Sequence, residues 1–442
     1  VAILAQAAGS GRRSAASQGS GMLVGVDQVL LDLVVEVDSD TGIFERYGLE
    51  PNTQSLAEVR HAPLIADLLA RAEQAGSEGG AGEAAAPVCT APGGVVANAL
   101  RAAAWWLQQQ QASPQLLPAL KMLGRVGEDA AAERLRRELL AAGVEPLFQA
   151  PGPGGGQADG GAGLQAAHTG VCCCLVANRQ RTMLTELGIG RSLDLQEKLG
   201  DHVAAVVATG AAGEAASSPS MAIVSGFYVQ ADPTGAEAIC TWRESPQSGR
   251  TQPILALTVG GHWCCRLPAV QAFARVADFV FANEPEVIEL AAAVGGEVEA
   301  SGAGSGDVGS SAGASPCSKQ FEAALTSVAR WKTRGWMVAT RGGKSLGAAR
   351  AGASGRTLSV PVEPIEPAKF VDDVGAGDAF MGGFLVAAWQ RLATLAQQEG
   401  ETESDGVVAR LMDADIEVAA RAGISTAAAV LQCVGCQFPK PG

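Results

Sequence analysis

Apolar residues recur along this chain with two different spacings. Short apolar runs at 120–126, 170–177, 221–229, 253–259, 278–282 and 336–340 have the length of strands. Longer segments with a helical rhythm fit 93–111, 128–142, 268–275, 286–294, 320–334, 378–395 and 411–431, the first of them opened by the diglycine Gly93-Gly94. Brief strands alternating with helices predict an α/β fold with a central, mostly parallel sheet flanked by helices. Near the start, Met22–Val26 and 29–37 are apolar and β-branched, hence strand-like. Two strand-rich stretches, 22–56 and 168–187, break the alternation and predict a smaller sheet outside the main one. Gly/Ala/Ser-rich blocks at 76–86, 150–167, 209–219 and 295–318 read as surface loop insertions.

One position resists this pattern. Asp32 interrupts the apolar run Leu30-Leu31-Asp32-Leu33-Val34-Val35. An unpaired carboxylate is expensive to bury, so Asp32 either marks a strand end or faces a ligand, and the residues alone leave both open.

Composition narrows the class. The chain has 442 residues, 47% of them hydrophobic, enough for one large core or two modest ones. With 46 acidic and 32 basic residues the net charge is −14, which argues against a nucleic acid or an anionic membrane as the main partner. No run approaches eighteen uninterrupted apolar residues, so no membrane span is predicted. Ten cysteines, three consecutive at 172–174 and two adjacent at 264–265, are poorly placed for a disulfide ladder, and no Asn-x-Ser/Thr acceptor occurs. Both features point to a reducing, cytoplasmic setting. The first twenty residues carry Arg12 and Arg13 but no acid and read as a targeting remnant or a leader. Cys433-x-x-Cys436 lacks a second pair at zinc spacing, and His61, His168, His202 and His262 are scattered, so an imidazole or thiolate metal site is not expected.

The sharpest chemical signal is Val371-Asp372-Asp373-Val374-Gly375-Ala376-Gly377-Asp378-Ala379-Phe380-Met381-Gly382-Gly383-Phe384. An extended segment runs through Gly-Ala-Gly into an apolar helix. Small residues there let backbone N–H groups approach an anion, and the helix N-terminus adds partial positive charge. Such donors suit the charge that develops during phosphoryl transfer. Asp378 falls in the first turn. It is either a helix-stabilising acid or the group that takes a proton from an attacking hydroxyl. A second phosphate-loop candidate fails, because Gly343-Lys344-Ser345 is preceded by Val338 where a Walker A loop needs glycine.

These residues resemble the ribokinase-like (PfkB) carbohydrate kinases, in order from about Met22 to Pro439 apart from the glycine-rich blocks. Gly375-Ala376-Gly377-Asp378-Ala379-Phe380 followed by Gly382-Gly383-Phe384 matches the family's C-terminal signature. Arg421-Ala422-Gly423, leading to Gly435-Cys436 and Phe438-Pro439, resembles the adenosine-phosphorylating branch of that family. So does Tyr47-Gly48-Leu49 with Pro51-Asn52, Gln54 and Leu56-Ala57-Glu58.

The resemblance implies a single kinase domain over 21–442 with a small β lid from segments near 33–57 and 168–187. It also implies a monomer that uses Mg²⁺ and ATP to phosphorylate the 5′-hydroxyl of adenosine, giving AMP and ADP. By position Asp378 would be the general base, and Gly375, Ala376 and Gly377 the anion hole. Asp32 would hold ribose hydroxyls, with Gly93, Gly94 and Asn98 on the substrate side, Gln54 and Leu56 in the lid, and Phe227 as a pocket aromatic. Arg181 would reach the transferred phosphate, Asn283 and Glu286 would meet Mg²⁺ through water, and Thr340 and Gly342 would border ATP. Each has a plainer competitor: a solvated charge for Arg181, a favoured helix start for Glu286, ordinary polar residues for Asn98 and Gln54.

The chain also departs from the family pattern. Asp373 and Val374 precede the glycines where Asp-Thr is usual, and Asp27-Gln28-Val29 replaces Gly-Asn-Pro. Val95, Val96 and Ala97 follow the diglycine in place of polar residues, and Ala256 stands where the central strand usually has Asn. Alternative expectations are therefore a related kinase of another nucleoside or a sugar, or a nucleoside-binding paralogue with weakened catalysis.

Overall fold

The structure, a computed structural model, describes residues 21–38, 42–75, 88–110, 116–149, 168–178, 180–191, 219–244, 253–295, 319–352, 356–399 and 408–439. The N-terminal leader and, apart from Pro219 and Gly295, the four glycine-rich blocks lie outside these residues.

In chain order the strands are β1 (Met22–Val26), β2 (Leu30–Glu36), β3 (Gln54–Leu56), β4 (Cys89–Gly93), β5 (Ala119–Arg125), β6 (Glu145–Gln149) and β7 (Gly170–Ala177). They continue with β8 (Gln180–Glu186), β9 (Met221–Ser225), β10 (Ile254–Thr258), β11 (Phe279–Asn283), β12 (Trp336–Thr340), β13 (Leu346–Arg350) and β14 (Thr357–Val360). The helices are α1 (Ile43–Tyr47), α2 (Ala62–Ala75), α3 (Val95–Gln109), α4 (Ala130–Ala142), α5 (Gly226–Ala231) and α6 (Pro233–Glu244). After them come α7 (Pro268–Val276), α8 (Glu284–Ala293), α9 (Lys319–Trp331), α10 (Ala376–Glu399) and α11 (Asp413–Val430).

The main sheet runs β14-β13-β12-β11-β10-β9-β1-β5-β6, parallel from β12 through β6, with β13 and β14 added antiparallel at one edge. Its central strands, β1 and β9 to β12, are buried on both faces. Leu23, Ile223, Phe279 and Val338 pack towards α3, α10 and α11, while Val24, Val224, Val280 and Met337 pack towards α5 to α9. Two-sided burial is why these strands read as continuous apolar runs rather than as alternation.

The second sheet, β3-β8-β7-β2-β4, is one-sided. Leu31, Leu33, Val35, Cys173, Leu175 and Leu184 join the same core as Leu64 and Leu68 of α2. Strand period two then sends Asp32, Cys172, Met183 and Thr185 to the opposite face, and there they line a cavity.

Several expectations need correction. β1 does not belong to the small sheet: it lies in the middle of the main one, between β5 and β9. The stretch 22–56 also contains a helix, α1. The run 221–229 is a strand only to Ser225. The Ser225 hydroxyl accepts the Tyr228 N–H at 3.1 Å and turns the chain into α5. β4 escapes the sequence pattern because Cys-Thr-Ala-Pro-Gly has no apolar rhythm, and its conformation is imposed by pairing with β2. By length and composition, Ala376–Gln398 of α10 is apolar enough to cross a membrane, yet 72% of its apolar window is buried inside the fold, as befits a core helix.

α10 is anchored by aromatic packing. Phe384 is fully buried with ring centroids 5.7, 5.2 and 6.0 Å from Phe279, Phe281 and Phe380. Phe384→Ala is expected to lower stability by about 3–5 kcal/mol, the usual cost of deleting a buried aromatic ring. A shift of the urea unfolding midpoint measures it, and an unchanged midpoint would contradict this packing.

Candidate active site

The strand order reverses between β1 and β9: from β1 the chain builds outward to β5 and β6, and from β9 outward to β12. Crevices at such switch points, beyond the carboxyl ends of parallel strands, are where open α/β sheets bind ligands. Asp27, just past β1, is buried there and ties the elements together. Its carboxylate accepts the Ser225 hydroxyl at 2.7 Å, the Gln28 N–H at 2.8 Å and the Val96 N–H of α3 at 3.2 Å. Burial pushes its pKa up to about 6 against the pull of those bonds.

A cavity of about 740 Å³ opens between this end of the main sheet and the free face of the small sheet. Asp32 projects into it from the middle of β2, so it does not mark a strand end. The diglycine makes this possible. A Cβ on Gly93 would overlap the Asp32 carboxylate, and Gly94, at φ +94°, presses against the Gln28 carbonyl. Burial raises the Asp32 pKa to about 7. Arg101 and Arg181 oppose that rise and the Asp378 charge adds to it.

Asp378 stands in the first turn of α10, facing the same cavity. The Asn98 amide donates to its Oδ2 at 3.1 Å. Arg101, one helical turn further along α3, donates to Asn98 Oδ1 at 3.2 Å and to the Pro92 carbonyl at 3.1 Å. With its oxygen occupied by Arg101, the Asn98 amide presents Nδ2 to Asp378. Burial again dominates, lifting the Asp378 pKa to about 7. The Asn98 bond lowers it, and the Asp27 and Glu286 charges raise it.

The loop entering α10 is held open by its neighbours. Gly375 has φ +76°, and a Cβ there would run into Cys436 of the C-terminal segment. Asp372 is turned inward: it accepts the Val374 N–H at 3.1 Å and the Gly435 N–H at 2.7 Å, and it pairs with Arg181. Asp373 is exposed, so the extra acid points away from the cavity. The N–H groups of Gly377 and Asp378 make no hydrogen bond to the described residues. They are the free donors that a helix N-terminus offers to an anion.

Of the residues expected from sequence, the cavity brings together Asp32, Gln54, Leu56, Gly94, Asn98, Phe227, Gly375 and Asp378. Gly93, Ala376 and Gly377 adjoin it in sequence but do not line it. Nor does Arg181, which lies against Asp372 and Cys174. Asn283, Glu286, Thr340 and Gly342 are also outside its wall. Asn283 and Thr340 sit opposite each other at the ends of β11 and β12, further along the same edge of the main sheet.

Asn283 and Glu286 form a reciprocal cap on α8. Asn283 Oδ1 accepts the Glu286 N–H, and Glu286 Oε2 accepts the Asn283 N–H, both at 2.9 Å. That leaves Glu286 Oε1 as the one carboxylate oxygen of the pair without a hydrogen bond to the described residues. Among the described residues no group of three or more His, Cys, Asp or Glu could hold a metal directly. A single free carboxylate oxygen fits a cation that keeps most of its waters.

Two departures noted in the sequence lie away from the chemistry. Ala256 is buried in the core, and Val96 and Ala97 face inward along α3. Only Val95 of the apolar trio lines the cavity. Sequence reasoning missed Asp27 and Arg101 as organisers of the site, and Gln28, Gln230 and Trp263 as parts of its wall. A signal existed for Arg101, the one charged residue in α3.

A family model described as pfkB family carbohydrate kinase matches residues 164–442. Adenosine kinase 2 of Arabidopsis thaliana is 22% identical over 431 residues, covering 97% of this chain and 98% of that protein. Among solved structures, Anopheles gambiae adenosine kinase in complex with P1,P4-di(adenosine-5) tetraphosphate aligns with a TM-score of 0.63 at 22% identity, over 95% of this chain and 99% of that one. Schistosoma mansoni adenosine kinase in complex with 2-fluoroadenosine gives 0.64 at 18% identity, over 96% and 98%. At these identities the structural likeness is one of fold.

A doubly flanked parallel sheet with a carboxylate beneath a glycine-opened helix, in a chain matched by a kinase family model, defines a phosphotransferase acting on the alcohol of a small molecule. The chain belongs to the pfkB family of carbohydrate kinases, and ATP is the co-substrate that membership implies.

The Asn98 bond stabilises the ionised form of Asp378, so losing it raises that pKa. Asn98→Ala is expected to move the acidic limb of the pH–kcat profile upward by about one to two pH units, from the typical strength of a hydrogen bond to a charged group. An unmoved limb would show that Asp378 does not govern it.

Proposed function

We propose that the protein phosphorylates the 5′-hydroxyl of adenosine with Mg-ATP, giving AMP and ADP. The observation that carries this reading is the pairing of two carboxylates in one cavity. Asp378 lies beneath the free N–H groups of the α10 N-terminus, and Asp32 projects from the small sheet. A ribose between them would present its vicinal hydroxyls to Asp32 and its 5′-oxygen to Asp378.

In the reaction Asp378 accepts the proton of the 5′-hydroxyl as that oxygen attacks the γ-phosphorus. Its pKa of about 7 suits a general base working near neutrality. The loop Gly375-Ala376-Gly377 forms the anion hole, its free donors to the transferred phosphoryl group being the N–H groups of Gly377 and Asp378 together with the helix dipole, since the Ala376 N–H is already given to the Asp373 carbonyl. Gly94 and Asn98 border the ribose, Gln54 and Leu56 close over the nucleoside from the small sheet, and Phe227 stacks on the base. Closure of that sheet over the site would exclude water and protect ATP from hydrolysis. Arg181, beside the loop, adds positive charge along the phosphate path, and Thr340 and Gly342 border ATP. Glu286, through its free Oε1, and the adjoining Asn283 would hold a divalent cation by way of water, and that ion would supply charge neutralisation of the phosphates.

The names of the relatives support adenosine as acceptor. The apolar Val95 in the substrate wall favours a second reading, a kinase of another nucleoside or a sugar. A panel of adenosine, inosine, guanosine, ribose and fructose with Mg-ATP separates the two, and turnover on sugars alone would reject adenosine.

Two substitutions test the carboxylates. Asp378→Asn should cut kcat by about 10²-fold or more, as for loss of a general base, with adenosine affinity within a few-fold by calorimetry. Equal turnover would remove Asp378 from the chemistry. Asp32→Ala should raise KM for adenosine about tenfold or more, since buried ribose hydroxyls lose their acceptor. An unchanged KM would confine Asp32 to a structural role.

A further inference from the structure

A cluster of charges stands at the edge of the main sheet where β11 and β12 end side by side, Asn283 opposite Thr340. One residue further on, the chain places Glu284 at the start of α8 and Arg341 at the start of the turn 341–345 between β12 and β13. Arg341 Nη2 donates to Glu284 Oε1 at 2.9 Å, and Lys344 Nζ stands 3.7 Å from Glu284 Oε2. We propose that Arg341, assisted by Lys344, is a positioning residue for ATP: it neutralises and ties down the Glu284 carboxylate, so that the polyphosphate meets a charge-compensated edge. This rests on the reading of that edge as the ATP border, with Thr340 and Gly342 on either side of Arg341.

Arg341 is built into the fold rather than laid on its surface. It is the one buried residue of the turn 341–345. Its guanidinium lies over the Phe321 ring of α9, 4.5 Å from the centroid. Phe321 is fully buried, and Gly347 of β13 makes room for it, since a Cβ there would come within 2.7 Å of the ring. A planar guanidinium stacked on a ring and paired at its edge has a fixed direction. The rest of the turn packs on little: Gly342, at φ +59°, and Gly343 have open space around them. The Lys344 N–H closes the turn on the Arg341 carbonyl at 3.2 Å.

The charge of this edge has to be managed. α8 begins with two acids in its first turn, Glu284 and Glu286. The helix dipole favours both, but an arriving polyphosphate is repelled by both. Glu286 is engaged with Asn283 and keeps one oxygen for a hydrated cation. Glu284 is matched instead by Arg341 and Lys344, one at each oxygen. The lysine of Gly343-Lys344-Ser345, which forms no phosphate loop, thus serves a carboxylate. Removing Arg341 would leave Glu284 half-compensated beside the phosphates, where a unit charge still acts across several ångströms of partly dry medium.

Wild type, Arg341→Met, Arg341→Lys, Lys344→Met and the double variant Arg341→Met/Glu284→Gln are compared by steady-state kinetics with adenosine and Mg-ATP. Calorimetric binding of Mg-ATP without acceptor and thermal melting accompany them. Arg341→Met should raise KM for ATP about tenfold, the scale of one uncompensated charge, with kcat within about twofold and KM for adenosine unchanged. Lys344→Met, at an exposed side chain, should raise it about twofold without changing the melting temperature. Arg341→Lys should keep most of the ATP affinity. Adding Glu284→Gln to Arg341→Met should bring KM for ATP back to within about threefold of wild type, because the repelling charge is gone, whether or not the melting temperature recovers. An unchanged KM for ATP in both single methionine variants would overturn the proposal. So would an undiminished loss in the double variant, which would make Arg341 a structural residue only. If Arg341→Met does not fold, Lys344→Met with and without Glu284→Gln makes the same comparison. A wild type that binds Mg-ATP but leaves adenosine unphosphorylated would reject the adenosine reading and leave this test standing on calorimetry, whereas one that does not bind Mg-ATP would reject both.

Discussion

Holding several carboxylates in one partly dehydrated cavity is the constraint on which this site depends. Desolvation opposes ionisation of Asp27, Asp32 and Asp378 alike, and mutual repulsion adds to it for Asp32 and Asp378. Each acid is made tolerable by a different device. Asp27 is saturated with three hydrogen bonds, Asp32 lies in the field of Arg101 and Arg181, and Asp378 receives the Asn98 amide. Arg101 serves two of them, directly by its charge on Asp32 and indirectly by fixing which end of the Asn98 side chain meets Asp378.

The backbone arrangement follows from the same requirement. β2 keeps strict alternation, so placing Leu31, Leu33 and Val35 in the core obliges Asp32 to face the opposite way. The opposing chain must then pass close to that carboxylate, which only the diglycine allows. On the far side, the segment around Gly435 and Cys436 buttresses the loop that opens α10. Phe438 stacks on Trp105 of α3 at 5.7 Å, and the Trp105 indole donates to the Pro439 carbonyl at 3.0 Å. The helices that carry Asn98 and Asp378 are therefore linked both through the core and across the surface.

What could be read from sequence was whatever is local. The Gly-Ala-Gly-Asp turn, the apolar strands and the misfit of Asp32 in an apolar run are each visible within a few residues. The assignment of β1 to the wrong sheet shows the limit: a short apolar strand carries no mark of its neighbours, and only the pairing with β5 and β9 decides. α5 was hidden because an apolar run looks the same on either side of a serine cap. Asp27, Arg101 and Trp263 matter through partners far away in the chain, which spacing cannot reveal. Asn283 and Glu286 illustrate the reverse case, since their motif is also the ordinary signature of a capped helix, and the cap is formed.

The hydrogen bond between Asn98 and Asp378 joins residues 280 positions apart. Closing so long a loop costs entropy that nearby contacts do not, so this link cannot form in any short fragment and belongs among the last to mature as the chain condenses. Recovery of catalysis after denaturation is thus a stricter gauge of completed assembly than recovery of helical circular dichroism, because Asn98 and Asp378 meet only when α3 and α10 have packed side by side on the same face of the main sheet.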